Sequence, residues 1–313
     1  MNAHRPYRCR LWTTAAALAF AALAAGCSPA FLTVDDAILQ PDHHAELVAH
    51  VDREAVGALW RHVDGVKVVF YVDGVSVGDS KTNDQGRASQ KCSLLSPPPT
   101  RFEARATVEG SDLRAVGRLF AWDPDRTIIV VDVDKTLALT EYKELVLDRQ
   151  EEESHPVKDS REVLNELSKD FGILYLTGRP RSLLDRTRQW LEENEYPAGP
   201  VITAPSLRQA MHARTFKLHA LHALRENWPN MLIGIGDRPS DAAAYGASEM
   251  LTLITSPKRD TEYGVHAIML RNWKTIGRFF EANRATLADP QRLREVIKGQ
   301  TMLLQPVMPW GNE

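Results

Sequence analysis

The stretch Thr127-Ile-Ile-Val-Val-Asp-Val-Asp-Lys-Thr136 decides the fold of the C-terminal part of this chain. It places a continuous apolar run directly before two aspartates, which is typical of a strand buried on both faces of a parallel sheet. Similar runs recur at GILYLTG (172–178), MLIGIGD (231–237) and MLTLITS (250–256). The segments between them repeat apolar residues at helical spacing. This alternation predicts an α/β domain with a Rossmann-like, doubly wound parallel sheet over residues 126–285, followed by a C-terminal tail over 286–313.

Residues 45–122 have a different pattern, in which short alternating runs are separated by turn residues. The run VKVVFYVDG (66–74) places apolar residues at every second position and ends on an Asp-Gly pair, which favours a tight hairpin. FEARATVEG (102–110) behaves similarly. The spacing predicts an all-β, immunoglobulin-like sandwich over residues 45–122, and residues 67–89 resemble bacterial immunoglobulin-like modules. Residues 27–44 are interpreted as a tether.

The first residues have the pattern of a targeting signal. Three arginines precede an apolar run over 11–26 that leads directly to Cys27, and this run is shorter than the roughly 20 residues that span a membrane. The string LAAGC (23–27) resembles a bacterial lipoprotein signal, which predicts a signal peptide over residues 1–26 and acylation of Cys27, for example by palmitate. The protein is then exported and anchored to a membrane, facing the periplasm or the cell exterior. Cleavage without lipidation and a retained apolar anchor are the alternatives.

Composition excludes one class of partner and leaves one cysteine without a role. Apolar and charged residues make up 43% and 25% of the chain, as in globular proteins, and a net charge of -3 argues against a chain built to bind nucleic acid. Because Cys9 lies in the predicted signal and Cys27 is the predicted acylation site, Cys92 has no partner for an internal disulfide. It is interpreted as a small buried hydrophobe.

Polar residues follow three of the predicted parallel strands at the point where each strand ends. Asp132 and Asp134 follow the first, Thr177 and Gly178 end the second, and Asp237 and Asp241 follow the third. Lys217 lies near the start of a predicted helix. Ligands of open parallel sheets bind beyond the carboxyl ends of the strands, so these residues are expected to share one crevice. Singly, each motif has an ordinary explanation as a helix cap, a turn or a surface lysine, and only their order indicates a site.

The residue types in this set suit phosphoryl transfer. Asp132 and Asp134 are two residues apart and leave an extended segment on the same side, so Asp132 can attack a phosphorus while Asp134 protonates the leaving oxygen. Asp237 and Asp241 offer only oxygen ligands, which favours Mg²⁺ as the cofactor. The Thr177 hydroxyl and the Lys217 ammonium are expected to bind the remaining phosphate oxygens.

These motifs, in this order, resemble the haloacid dehalogenase superfamily of phosphohydrolases over residues 126–285. The resemblance implies that Asp132 is the nucleophile and Asp134 the general acid and base. It also implies that Mg²⁺ is held by Asp132, by the backbone carbonyl of Asp134 and by the acidic residues Asp237 and Asp241 of GDRPSD.

Within that superfamily the chain is most similar to the lipin-type (LNS2-like) module of phosphatidate phosphatases. The segments that carry this likeness are ILYLTGRP (173–180), GPVITAP (199–205), FKLHAL (216–221) and GDRPSDAAAY (236–245). Two positions depart from the lipin pattern, because Lys135 stands where lipins have glycine and Asp237 where they usually have asparagine. Of these two acidic residues, Asp241 is therefore the one that the resemblance more strongly implies as a metal ligand.

The resemblance and the predicted anchor favour the same substrate class, a phosphorylated lipid such as phosphatidate. A broad-specificity acid phosphatase for small soluble phosphates is the enzymatic alternative. A surface lipoprotein that senses phosphate or lipid without catalysis is the non-enzymatic one. Residues 139–159, with the acidic run 151–153, are either a solvated loop or a small flap over the site.

Overall fold

The computed structural model describes residues 28–54, 60–94, 100–139, 155–256, 267–299 and 303–306. The predicted signal peptide, Cys27 and the acidic run 151–153 lie outside these residues. The described part is a mixed α/β structure with three sheets, one of them parallel. The N-terminal strands are β1 (Ala30–Val34), β2 (Ala37–Ile38), β3 (His44–Glu54), β4 (Trp60–His62), β5 (Lys67–Val72), β6 (Val75–Lys81), β7 (Arg87–Ser93), β8 (Arg101–Val108) and β9 (Ser111–Phe120).

The N-terminal strands form two sheets that share one apolar core. In the first sheet β3 pairs antiparallel with β1, β4 and β7, and the second has the order β2-β9-β8-β5-β6. Val68, Phe70 and Val72 of β5 are buried while the residues between them are more exposed, which confirms the predicted period of two. The turn after β5 is made by Asp73 and Gly74, both with positive φ, as the Asp-Gly pair predicts.

Strands β1 and β2 occupy residues that the sequence analysis interpreted as a tether. β1 pairs with β3 from Ala30 to Val34, and Leu32 and Val34 are buried in the shared core. The alternation in this segment is short, and the flanking prolines at 29 and 41 obscured it. The β region therefore begins well before residue 45.

The C-terminal part contains the parallel sheet and the helices that cover it. Its strands and helices are β10 (Ile128–Val131), α1 (Ser160–Leu167), β11 (Gly172–Pro180), α2 (Leu184–Glu193), β12 (Val201–Ala204), α3 (Leu207–Ala210), α4 (Ala213–Asn227), β13 (Met231–Gly236), α5 (Pro239–Ala247), β14 (Leu251–Thr255), β15 (Ala267–Leu270), α6 (Trp273–Ala288) and α7 (Pro290–Ile297).

All six strands of this sheet run parallel, in the order β12-β11-β10-β13-β14-β15. Every residue of β10 is buried, with Ile129 and Val131 in one apolar cluster and Ile128 and Val130 in another. Helices cover both faces, which explains the uninterrupted apolar runs and confirms the predicted parallel α/β sheet.

The predicted C-terminal tail contains an ordered helix. In α7, Leu293 and Val296 are buried in the same cluster as Ile129, and the Asp289 side chain caps the helix by accepting from two backbone N–H groups. Residues 290–297 therefore complete the core of the α/β part. The sequence analysis placed the boundary before this short amphipathic repeat.

Buried ion pairs join the N-terminal sheets to the parallel sheet. Asp36, which precedes β2, pairs with Arg118 of β9 at 2.7 Å and with Arg188 of α2 at 2.9 Å. Its carboxylate also accepts the backbone N–H of Val201 at 2.8 Å. One aspartate thus connects the second N-terminal sheet to α2 and β12.

Two further observations concern single features of the described residues. The Cys92 thiol is buried and lies 3.7 Å from the Ala45 carbonyl, as expected for a small buried hydrophobe. Within the described ranges, no helix combines the length and apolar character needed to cross a bilayer.

Candidate active site

The candidate site lies where the order of the parallel strands reverses. From β10 the chain continues to β11 and β12 on one side, and then returns to β13 and β14 on the other side of β10. In open parallel sheets this switch point leaves a crevice beyond the carboxyl ends of the strands. Asp132 follows β10 directly and therefore lies at the base of the crevice.

A buried lysine joins two of the predicted site aspartates. Lys217 Nζ lies 2.5 Å from Asp132 Oδ1 and 2.6 Å from Asp241 Oδ1. All three residues are almost fully buried, with 2%, 3% and 1% of their surface exposed. Side chains from the end of β10, from α4 and from α5 therefore meet at one point, as the sequence analysis predicted. Burial alone lowers the pKa of Lys217, but its attraction to Asp132 and Asp241 outweighs burial and raises that pKa well above its ordinary value.

The start of α5 fixes Asp241 in place. Its Oδ2 accepts the backbone N–H groups of Asp237 and Arg238 at 3.3 and 3.1 Å, which are donors that the first turn of a helix leaves free. Gly236 makes this close approach possible, because a Cβ at that position would lie 2.6 Å from the Asp241 Cβ. The glycine of GDRPSD is therefore required by packing.

Asp237 completes an acidic cluster. One carboxylate oxygen from each of Asp132, Asp237 and Asp241 lies within 4.8 Å of the other two. The Thr136 hydroxyl lies 3.5 Å from Asp132 Oδ2 and 3.3 Å from Asp237 Oδ1, and so bridges the two carboxylates. The sequence analysis gave Thr136 no role, although its place in DVDKT next to the aspartates was a usable signal.

Burial makes the charged forms of two of these carboxylates unfavourable. Removal from water, reinforced by the negative charge of neighbouring aspartates, raises the pKa of Asp132 to about 8. Burial and the charge of Asp241 raise the pKa of Asp237 to about 7. A divalent cation among the three carboxylates would relieve both effects, and an all-oxygen ligand set suits Mg²⁺. The residues present therefore fit the predicted metal.

The Asp134 carboxylate belongs to a different pair. Arg179 donates to Asp134 Oδ1 from Nε at 3.0 Å and from Nη2 at 2.9 Å, and both side chains are buried. The Thr177 hydroxyl lies 3.5 Å from Asp134 Oδ2. Of the predicted metal ligands, Asp134 is thus the one whose carboxylate lies outside the acidic cluster.

A strand irregularity places Arg179 beside Asp134. The pairing of β11 with β12 shifts register between Thr177 and Pro180, so Gly178 and Arg179 bulge out of the ladder. Bulges at strand ends commonly re-aim side chains next to active sites. The sequence analysis gave Arg179 no role, yet its spacing of two from Thr177 at a strand end was an available signal.

Comparison with known families adds to this geometry. Residues 99–253 match the family model described as LNS2 (Lipin/Ned1/Smp2). This region is an LNS2 domain. Its matched residues run from just before β8 to β14, and LNS2 domains are phosphatase modules of the haloacid dehalogenase type. The parallel sheet and the site at its switch point have the architecture of that module.

Other comparisons say less about this chain. No curated protein matches it. The similar solved structures include the M1 domain from titin, at 11% identity, which covers 31% of this chain and 95% of that one with a TM-score of 0.22. They also include the titin Ig tandem domains A164-A165, at 10% identity, covering 32% and 51% with a TM-score of 0.20. These TM-scores assign no fold to the N-terminal sheets.

One departure of this LNS2 domain from lipins has a structural correlate. Lys135, which stands where lipins have glycine, adopts the left-handed backbone conformation with φ of 61°. That conformation costs an ordinary residue about 1 kcal/mol and costs glycine little. The turn after Asp134 therefore keeps the shape that glycine favours, although its residue has changed.

A cavity of about 590 Å³ opens over the site of the LNS2 domain. Asp132, Asp134, Lys217 and Asp241 line its floor, and Gly178 lines one wall. Thr177, in contrast, is fully buried beside Asp134. The predicted site residues of the described part thus line this cavity or lie directly behind it. Asp237 does not line it, but its carboxylate lies beside those of Asp132 and Asp241, which do.

Proposed function

We propose that the protein is a Mg²⁺-dependent phosphatase that hydrolyses a phosphomonoester through an aspartyl-phosphate on Asp132, and that its substrate is phosphatidate or a related lipid phosphate. The observation that carries the proposal is the contact of Lys217 with both Asp132 and Asp241 at the floor of an open cavity. A carboxylate nucleophile in that position faces the cavity and has a fixed positive charge beside it.

The proposed reaction has two steps. In the first, an Asp132 oxygen forms a bond to phosphorus while the ester oxygen leaves, and Asp134 gives that oxygen a proton. In the second, Asp134 accepts a proton from water, the water oxygen bonds to phosphorus, and the bond to Asp132 breaks to release inorganic phosphate. Lys217, with Thr177 and Gly178, is proposed to bind the phosphate oxygens on which negative charge develops.

Mg²⁺ would be held by Asp132, Asp237 and Asp241, with the backbone carbonyl of Asp134, and would offset the repulsion between carboxylate and phosphate. Asp237 is included because its carboxylate lies in the same cluster as the other two. Asp134, paired with Arg179, stays available for proton transfer.

The choice of a lipid substrate is supported by two features. The cavity opens to the surface through exposed residues between α3 and α4, which suits a headgroup that remains attached to a large hydrophobic part. The predicted acylation of Cys27 would keep the enzyme on the membrane that contains such a substrate. We infer that the protein is an exported lipoprotein, a point that labelled palmitate incorporation into the wild type and the Cys27→Ala variant would test.

The N-terminal sheets have a place in this proposal as an immunoglobulin-like sandwich that supports the catalytic domain. Support comes from their shared core and from the buried pairs that Asp36 makes across the boundary.

The deciding experiment measures phosphate release with and without Mg²⁺ from vesicles containing phosphatidate, from soluble sugar phosphates and from an aryl phosphate. Asp132→Asn should lower every Mg²⁺-dependent rate by several orders of magnitude, because it removes the nucleophile. Asp112→Asn, an exposed aspartate of β9, is the matched control and should leave the rates unchanged.

Three outcomes separate the alternatives. Faster turnover of presented phosphatidate supports the lipid assignment, whereas equal or faster turnover of sugar phosphates favours the broad-specificity acid phosphatase. No Mg²⁺-dependent release from any substrate would favour a non-catalytic sensor. Activity that survives Asp132→Asn would exclude the proposed nucleophile.

A further inference from the structure

One long segment beside the cavity contains no acidic residue. From Tyr196 to Arg225 the chain has no aspartate or glutamate, although it has 41 acidic residues in all and a net charge of -3. The segment includes Arg208, Arg214 and Lys217. Lys217 is buried in the site, and Arg225 is half-buried and donates to the Ser248 carbonyl, so Arg208 and Arg214 are the exposed cations of this segment.

The same segment forms the mouth of the cavity. The exposed residues among those that line it are Met211, His212, Arg214 and Thr215, all between α3 and the first turn of α4. Arg208 is also exposed and lies one helical turn before Met211. We call Arg208, Met211, His212 and Arg214 the basic rim.

The cations of the basic rim are not neutralised by neighbouring carboxylates. Within the part of the chain that the structure describes, neither Arg208 nor Arg214 has a carboxylate within ion-pair distance. Arginines elsewhere in the described part do form such pairs, as Arg114 does with Glu103 at 2.5 Å. The rim therefore presents free positive charge to whatever approaches the cavity.

An exposed apolar side chain lies between these cations. Met211 has 68% of its surface exposed, which makes it one of the two most exposed large apolar residues in the described part. Inorganic phosphate or a sugar phosphate has little apolar surface to bury against methionine. Cationic side chains flanking an exposed apolar one are the combination that binds the surface of an anionic bilayer.

We propose that the basic rim docks the cavity mouth onto an anionic lipid surface, with Arg208 and Arg214 at the headgroups and Met211 in the acyl boundary. The inference rests on the proposed function and adds how a lipid phosphate reaches the site. Docking in this orientation turns the cavity toward the membrane, so that a phosphomonoester headgroup moves from the lipid surface to the floor that holds Asp132 without leaving the bilayer.

Hydrogen exchange of the full-length protein on vesicles tests this directly, because it reports on the rim itself and not on the N-terminal anchor. Vesicles of phosphatidylcholine alone are compared with vesicles of phosphatidylcholine and phosphatidylglycerol in equal amounts. We expect amides of residues 206–217 to exchange more slowly on the anionic vesicles, and this protection to be lost in Arg208→Gln/Arg214→Gln and in Met211→Asp.

Matched controls are available on the N-terminal sheets. Arg61→Gln/Arg101→Gln removes the same charge from exposed positions, and Val75→Asp changes an apolar residue whose exposure, 68%, equals that of Met211. Both controls should keep the protection of residues 206–217. Equal exchange on the two vesicle types, or equal loss in the control variants, would overturn the proposal.

The exchange measurement needs no turnover, so its result is independent of the phosphatase assignment. Hydrolysis of an aryl phosphate in solution is measured on the wild-type protein alongside it. Phosphatase activity without vesicle-dependent protection would contradict membrane docking by the basic rim but would not contradict the proposed phosphatase function. Protection of residues 206–217 by glycerol phosphate, without any by vesicles, would assign the rim to soluble substrates and reject membrane docking.

Discussion

Arg179 donates two hydrogen bonds to a single oxygen of Asp134, from Nε at 3.0 Å and from Nη2 at 2.9 Å. Nη1 of the same guanidinium donates to the Thr187 hydroxyl of α2 at 3.1 Å. The proposed general acid and base is therefore fixed by a cation that is itself held by a neighbouring helix. This arrangement makes Arg179 a positioning residue.

Replacement of Arg179 by methionine should impair both stability and turnover. The change leaves the Asp134 carboxylate buried without its partner, and loss of one member of a buried ion pair costs about 3 kcal/mol of unfolding free energy. We expect a lower unfolding midpoint in urea and a lower kcat, with partial recovery in Arg179→Lys. Arg161→Met, at an exposed pair with Glu162, is the control and should behave as wild type. Unchanged kcat in Arg179→Met would show that the pair serves only the fold.

Replacement of Lys217 by methionine should separate its catalytic and structural contributions. The variant loses the charge that we propose stabilises the transferring phosphate, so kcat should fall by roughly 100-fold. It also leaves Asp132 and Asp241 buried without a cation, so the metal-free variant should unfold at a lower temperature and gain more from added Mg²⁺ than wild type does. Thermal unfolding with and without Mg²⁺ measures this, with Lys169→Met at an exposed pair as control. An equal Mg²⁺ effect in variant and wild type would contradict the shared site.

The stability of the metal-free protein should depend on pH through the acidic cluster. Burial raises the pKa of Asp132 from 3.8 to about 8, and that of Asp237 from 3.8 to about 7. Because the folded state binds these protons more tightly than the unfolded state, their contribution to stability is present at low pH and declines as pH rises from about 4 to about 8. Mg²⁺ competes with the same protons, so its affinity should increase between pH 6 and pH 8.

Titration of Mg²⁺ by calorimetry at several pH values, with chelator-treated protein as the reference, tests this expectation. Asp237→Asn removes one of the two protonated carboxyls, so it should flatten the pH dependence of the affinity. A Mg²⁺ affinity that does not change over this pH range would contradict the predicted ligand set.

A fourth prediction concerns the connection between the N-terminal sheets and the end of β11, which carries Thr177 and Arg179. Asp52 of β3 is fully buried and pairs with Arg181 at 2.9 Å, two residues after Arg179, while His62 contacts its other oxygen at 2.7 Å. Asp52→Asn leaves the Arg181 charge without a buried counterion, so we expect a loss of about 3 kcal/mol in unfolding free energy and a lower kcat.

The control for Asp52→Asn is Asp112→Asn, an exposed aspartate of the same N-terminal region. Comparing kcat at temperatures where both variants remain folded separates positioning of the loop from global unfolding. A normal kcat in folded Asp52→Asn would show that the Asp52–Arg181 pair does not help to position Thr177 and Arg179.

Much of the C-terminal α/β part could be predicted from the sequence, because the patterns that indicate its strands are local. A fully buried strand requires an unbroken apolar run, so the strands at residues 128–131 and 231–236 could be predicted from their composition. The residue after such a strand lies at the edge of the sheet where ligands bind. The same reasoning failed for β1 and for α7, whose apolar repeats are short. Their assignment depends on partners far along the chain, β3 in one case and the cluster around Ile129 in the other.

The sequence by itself determined that Asp132, Asp134, Thr177, Asp237 and Asp241 lie at or just after the ends of parallel strands, and that Lys217 lies near the start of a helix. Only the tertiary structure decided which of them touch. In the folded protein Lys217 pairs with Asp132 and Asp241, and Arg179 pairs with Asp134. Arg181, just after β11, pairs with Asp52. The physical reason is that hydrophobic periodicity fixes the element on which a side chain lies, whereas a buried charge takes the counterion that packing brings within about 3 Å, and sequence spacing does not encode that choice.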